Sequence, residues 1–165
     1  IAQIQGTAVD ATSRVSGGLG DAGGAGADEI VSMVEAMRER THVYGAIDTL
    51  ENLKKGGRIG NAQALLGSLL SIKPLIDISS GVVEEAGRQR TRRKSLAWLR
   101  DKVAEHADDI EILSVMHAQA DDIGDLTGML ESIVAPGITR VGVIGPVVAS
   151  HGGPGVIGLC FTLRS

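Results

Sequence analysis

The chain has 165 residues, of which 43% are hydrophobic but only 2% aromatic, and a formal net charge of −4. That length suits one domain with its own core, and with so few rings the core must be built from Leu, Ile, Val and Ala. The charge and the scarcity of stacking rings argue against nucleic acid, the single cysteine excludes an internal disulfide, and no apolar run approaches the ~20 residues that span a bilayer.

Residues 1–27 are rich in Gly, Ala, Ser and Thr and read as a linker or a fragment of something larger. No secretory leader is visible, so a cytoplasmic protein is the default expectation. Order begins at Asp28, a plausible N-cap followed by Ile30, Val31, Val34 and Met37 at helical spacing. A strand is expected over 42–47 and a short helix over 49–55, ending at the Gly56-Gly57 turn. Over 61–72, Leu65, Leu66, Leu69 and Leu70 cover most of the circumference of a helix, which should be buried and should stop before Pro74. Strands over 75–78 and 82–86 flank Ser80-Gly81 and read as a hairpin. Next come a helix carrying Leu96, Leu99 and Val103 and a strand over 111–116. A second amphipathic helix carries Ile123, Leu126, Leu130 and Val134, and strands follow over 139–144 and 156–163. Such alternation predicts an α/β layered domain, its mixed, largely parallel sheet flanked by helices.

Most motifs fail their structural tests. Gly18, Gly20 and Gly23 match G-x-G-x-x-G, but the Gly- and Ala-rich residues that follow open a helix poorly, which argues against a dinucleotide site. No P-loop sequence is present. The loop His151-Gly152-Gly153-Pro154-Gly155 is not accompanied by a G-x-S-x-G nucleophile elbow. It remains a glycine-rich turn whose N–H groups can approach an anion beside an imidazole, or else a plain loop. His42, His106, His117 and His151 lack metal-ligand spacing, so no metal site is expected. Arg58, after the glycine turn, can contact a carboxylate or phosphate, or tie loops together through carbonyl oxygens. The basic cluster Arg88, Arg90, Arg92, Arg93 and Lys94 stands where a helix macrodipole disfavours cations, which suits either an acidic partner or a solvated face.

Taken in order, TLENL with KKGGRIG (49–60), ALLGSLLSIKPLI (64–76), RQRTRRKSL (88–96) and IGPVVASHGGPGVIGLCF (144–161) resemble the signatures of the DegV family from about Asp28 onward. The resemblance implies the second domain of a two-domain α/β fold at 28–165. Residues 1–27 would be the linker and a remnant of a first domain, with Val9-Asp10, Arg14-Val15-Ser16 and Gly18-Leu19-Gly20 marking its last strand and turn. It implies a bacterial lipid carrier, not an enzyme, with no cofactor. Such a protein binds a long-chain fatty acid and presents its carboxylate to a separate fatty acid kinase subunit, which makes acyl phosphate for phospholipid synthesis. On this resemblance His151 and Arg58 serve the lipid head group, Leu65, Leu66, Leu69 and Leu70 line the acyl tunnel, and Arg90 and Arg92 meet the kinase. The alternative is a small-molecule enzyme acting on a carboxylated or phosphorylated substrate at the same cleft.

Overall fold

The computed structural model describes residues 26–67 and 72–164, with the backbone alone at 64–67. Six strands form one mixed sheet: β1 (Thr41–Ala46), β2 (Lys73–Asp77), β3 (Glu84–Gln89), β4 (Ile110–His117), β5 (Thr139–Val143) and β6 (Ile157–Leu163). Their order across the sheet is β3-β2-β1-β6-β4-β5. The helices are α1 (Ala27–Glu39), α2 (Glu51–Lys55), α3 (Arg92–Ala104), α4 (Ile123–Glu131) and α5 (Pro146–Gly152), with a 3-10 helix at Gly60–Gly67 between α2 and β2. The α/β layering and the β2–β3 hairpin agree with the sequence reading.

The expected largely parallel sheet is not what forms. Only β4 and β5 run parallel, and every other neighbouring pair is antiparallel. Alternating helices and strands do not fix direction. A parallel neighbour needs a crossover returning the chain to the same edge, whereas β6 leaves α5 and inserts between β1 and β4, opposed to both.

Each face of the sheet has its own core. Leu96, Leu99 and Val103 of α3 and Leu126 and Leu130 of α4 pack with Leu113, Val115, Ile157, Leu159 and Phe161 on one face. These helical residues are the stripes that the periodicity marked. On the other face Val43, Ile47, Ile76, Ile78, Val156 and Cys160 pack with Leu53 of α2 and Ala62 of the 3-10 helix, and Ala149 of α5 lies against them. Helix α1 buries none of its residues, and its N-cap is Gly26, with Asp28 in the first turn.

The buried helix expected over 61–72 is a 3-10 helix as far as Gly67. Gly60 explains how it starts: the residue has φ +53, and a Cβ there would sit 2.5 Å from the Val83 carbonyl oxygen. The next residue, Asn61, donates its N–H to that same oxygen at 2.8 Å. A helix absent from the sequence reading is α5. Its Val147 and Val148 continue an apolar run from β5, but Pro146 occupies the first turn and Gly153, at φ +82, ends it.

Candidate functional site

An apolar cavity of about 90 Å³ lies between the second face of the sheet and α2 and α5. Its floor includes Gly45 of β1, Gly158 and Cys160 of β6, and Ser114 and Met116 of β4. Ile144, Val148, Gly152 and Leu53 close it from the side of α5 and α2. Burial pushes the Cys160 thiol up to about 12, so it acts here as a small apolar group. Ser114 and Tyr44 bring hydroxyl-bearing residues to a lining that is otherwise apolar. Such a volume takes a stretch of methylenes rather than an entire long acyl chain.

His151 lies in the last turn of α5, between the cavity residues Val148 and Gly152 in sequence. Its imidazole presses on the turn after α2, where a Cβ at Gly56 would overlap the ring. Nδ1 of His151 is buried and makes no hydrogen bond. The exposed Arg58 folds back onto this turn, its Nη1 donating to the Gly56 carbonyl oxygen at 3.1 Å. Both residues expected at the head group therefore converge on Gly56, and the contact of Arg58 is a local one within its own turn. The Asn52 amide of α2 packs so closely on Gly153 that a side chain there would strike it. The two ends of the site, α2 with its glycine turn and α5 with its glycine loop, are thus fitted to one another.

Beyond the glycine loop, Pro154 and Gly155 border a polar cleft with Asp48, Lys73, Arg92, Gln119 and Asp122. Its cations are matched by carboxylates. Lys73 Nζ lies 2.8 Å from Asp48 Oδ1. Arg92 grips Asp122 in a fork, Nε to Oδ2 at 2.7 Å and Nη2 to Oδ1 at 3.0 Å. That hydrogen-bonded guanidinium holds the Asp122 carboxyl below its ordinary range, against partial burial. The paired Arg90 and Arg92 of the sequence reading accordingly separate: Arg90 is exposed, whereas Arg92 is fixed between Asp122 and Asp48. Arg88, Arg93 and Lys94 are exposed with Arg90.

Of the leucines expected in an acyl tunnel, Leu69 and Leu70 lie outside the described residues, and for Leu65 and Leu66 the backbone alone is described, within the 3-10 helix. Gly18, Gly20 and Gly23 and the residues read as a first-domain remnant also lie outside them. Among the described residues the cavity is lined by Met116, Ile144, Val148 and the glycines of β1 and β6, among others, which the sequence reading did not mark. Among the described residues no helix is long and apolar enough to cross a membrane.

An α/β domain carrying a hydrocarbon-lined cavity beneath a short histidine-bearing helix is the class that fold and site define. The family model described as "Uncharacterised protein, DegV family" matches residues 21–164, and the chain belongs to the DegV family. A DegV domain-containing protein of Streptomyces coelicolor is 37% identical over 148 residues, covering 87% of this chain and 52% of that protein. The chain thus spans about half the length of the curated relatives it matches. Among solved structures, a DegV family protein from Thermus thermophilus, described for its fatty acid binding, is 30% identical with a TM-score of 0.81 over 93% of this chain and 56% of that one. A fatty acid binding DegV family protein from Streptococcus agalactiae is 28% identical with a TM-score of 0.79 over 89% of this chain and 53% of that one.

Proposed function

We propose that this chain is the tail-holding domain of a cytoplasmic fatty-acid carrier, its domain proper running over 28–165 and residues 1–27 joining it to a first domain. The observation that carries this reading is the hydrocarbon cavity beneath α5, the helix that also carries His151. Each methylene buried there contributes about 0.8 kcal/mol, so the tail supplies affinity while the polar end sets orientation. His151 receives the head group at the rim, and Arg58 keeps the Gly56 turn in the shape on which that imidazole rests. Leu65, Leu66, Leu69 and Leu70 extend the apolar wall past the 3-10 helix. The carboxylate is presented to a separate kinase subunit, which makes acyl phosphate for phospholipid synthesis, and Arg90 with its exposed neighbours meets that partner. Arg92 serves the same surface indirectly, by fixing the start of α3 to Asp122.

Against an enzyme acting on a carboxylated or phosphorylated substrate stands the charge pattern of the polar cleft. Lys73 and Arg92 already have carboxylate partners within it, which neutralise most of the positive charge an anionic substrate would need. The test is mass spectrometry of an organic extract from the purified full-length protein. One fatty acid per protein is the expected result. An empty extract, together with failure to take up added palmitate or oleate, would overturn the carrier reading.

A further inference from the structure

One row across the sheet has glycine at three of its five positions. Strand pairing aligns Ile76 of β2 with Gly45 of β1, Gly45 with Gly158 of β6, Gly158 with Met116 of β4, and Met116 with Gly142 of β5. Paired residues on neighbouring strands share a face, and neighbouring strands lie about 4.8 Å apart. The row is therefore a trough running across the strands, and Ile76, Gly45, Gly158 and Met116 all border the cavity. Its two larger side chains lie over glycines. Ile76 leans on Gly45, with Cγ1 3.0 Å from where a Cβ would be. Met116 lies over Gly142, with Sδ at 3.0 Å and Cε at 3.2 Å from that position. Gly158, in contrast, is uncovered by any side chain, the nearest atoms to its Cβ position being the Tyr44 and Met116 carbonyl oxygens at 3.6 and 3.9 Å.

Met116 thus has a glycine on each side of it in the same row. A methionine is unbranched and turns about three side-chain bonds at little cost, and either glycine offers it a bed. Lying on Gly142 it leaves the floor over Gly158 clear, while lying on Gly158 it would fill the end of the trough. We propose that Met116 is the adjustable end wall of the acyl cavity, with Gly142 as its resting place, and that this pair sets which fatty acid chain length the protein takes. The proposal rests on the carrier reading above and adds to it a determinant of specificity.

The two residues can be pushed in opposite directions. Met116→Ala removes the wall and opens the trough toward β5. Gly142→Ala places a methyl where the thioether rests and drives Met116 back over Gly158. That second change lies on an edge strand and displaces only the end of a flexible side chain, so the fold is expected to survive it. The experiment is competition of myristate, palmitate and stearate for the full-length protein, read by mass spectrometry of the bound fraction, with thermal unfolding to establish that each variant is folded. Each added methylene that finds apolar cover strengthens binding about fourfold. M116A should therefore shift the stearate-to-myristate ratio on the order of tenfold toward stearate, and G142A should shift it toward myristate. The double variant should follow M116A, because the methyl at 142 acts only through the methionine. A wild-type protein that binds fatty acid, with folded single variants that keep its ratio, would overturn the proposal and leave the carrier reading standing. A wild-type protein that takes up none of the three would remove both.

Discussion

Gly56 and His151 are a matched pair, and the match constrains both. The glycine has ordinary helical dihedrals, so it is required for the space it leaves and not for its backbone freedom. Alanine at that position would push the imidazole off the turn. In the carrier reading, His151→Ala removes a head-group contact but none of the hydrocarbon wall. Fatty acid content in extracts should stay near that of the wild type, while acyl phosphate formation with the partner kinase should fall at least tenfold; equal formation would exclude the role. The Arg92–Asp122 fork makes a separate prediction. Its side chains are 23% and 25% exposed, enough shelter for a charge-assisted pair to matter. Arg92→Ala should cost about 2 kcal/mol in denaturant unfolding. Because the folded-state pKa of Asp122 lies below its unfolded value, the carboxyl's contribution is complete above the ordinary value of 3.8 and is lost as pH falls through the folded value. The variant should accordingly lose less stability than the wild type on acidification below pH 3.8.

Elements are joined here by contacts that tolerate little addition. Gly60 combines a left-handed φ with a carbonyl oxygen in the way, and it ties the 3-10 helix to the residue preceding β3. Gly60→Ala should destabilise the protein by about 2 kcal/mol through backbone strain alone, and the clash adds to this. A midpoint in urea equal to that of the wild type would show that the turn relaxes freely. How much of this level could be read from the chain depended on the signal. Leu96, Leu99, Val103, Leu126 and Leu130 repeat at helical spacing, so α3, α4 and their buried faces were legible. Helix α5 was not, because its seven residues are too few for a helical apolar period to show between the strand over 139–144 and the glycine loop. The proline at its start and the glycine at its end were the available signals. Strand direction was illegible for a different reason: hydrophobic spacing reports which residues are covered, not which strand lies alongside. For the same reason His151 and Arg58 stood out in a motif, whereas Met116, Ile144 and Val148 come from three separate stretches and meet only in three dimensions.

At the scale of the molecule, the two faces of the sheet differ in kind. One is close-packed under α3 and α4, and the other borders the cavity. The aromatic residues gather at the packed face. His42 stacks on Phe161 at 5.1 Å and on His106 at 5.4 Å, and Tyr44 meets Trp98 edge-on at 5.6 Å. Burial first, and then the neighbouring His106, lower the His42 pKa from 6.5, while Asp77 partly opposes them. The unfolded chain thus binds the proton more readily than the folded one, and stability rises with pH through this window. The contribution of His42 is complete above pH 6.5 and declines as pH falls from there toward the folded value. Melting temperature should drop across that interval in the wild type and stay flatter in His42→Phe; parallel curves would remove the histidine from the account.

Strand β6 lies in the middle of the sheet although it is the last described strand of the chain. Thr41 and Thr162 share a hydrogen bond at 2.9 Å across 121 residues of sequence. During synthesis, β1 with its β2–β3 hairpin emerges first, and β4 and β5 emerge later as a second piece. Each exposes a bare edge until β6 arrives to occupy both, so completion of the sheet awaits β6 and its slow, long-range closure. The same strand supplies Gly158 and Cys160 to the cavity floor. In the carrier reading, this half of the binding site therefore has no floor before β6 has paired, and lipid held here would report that the sheet has closed.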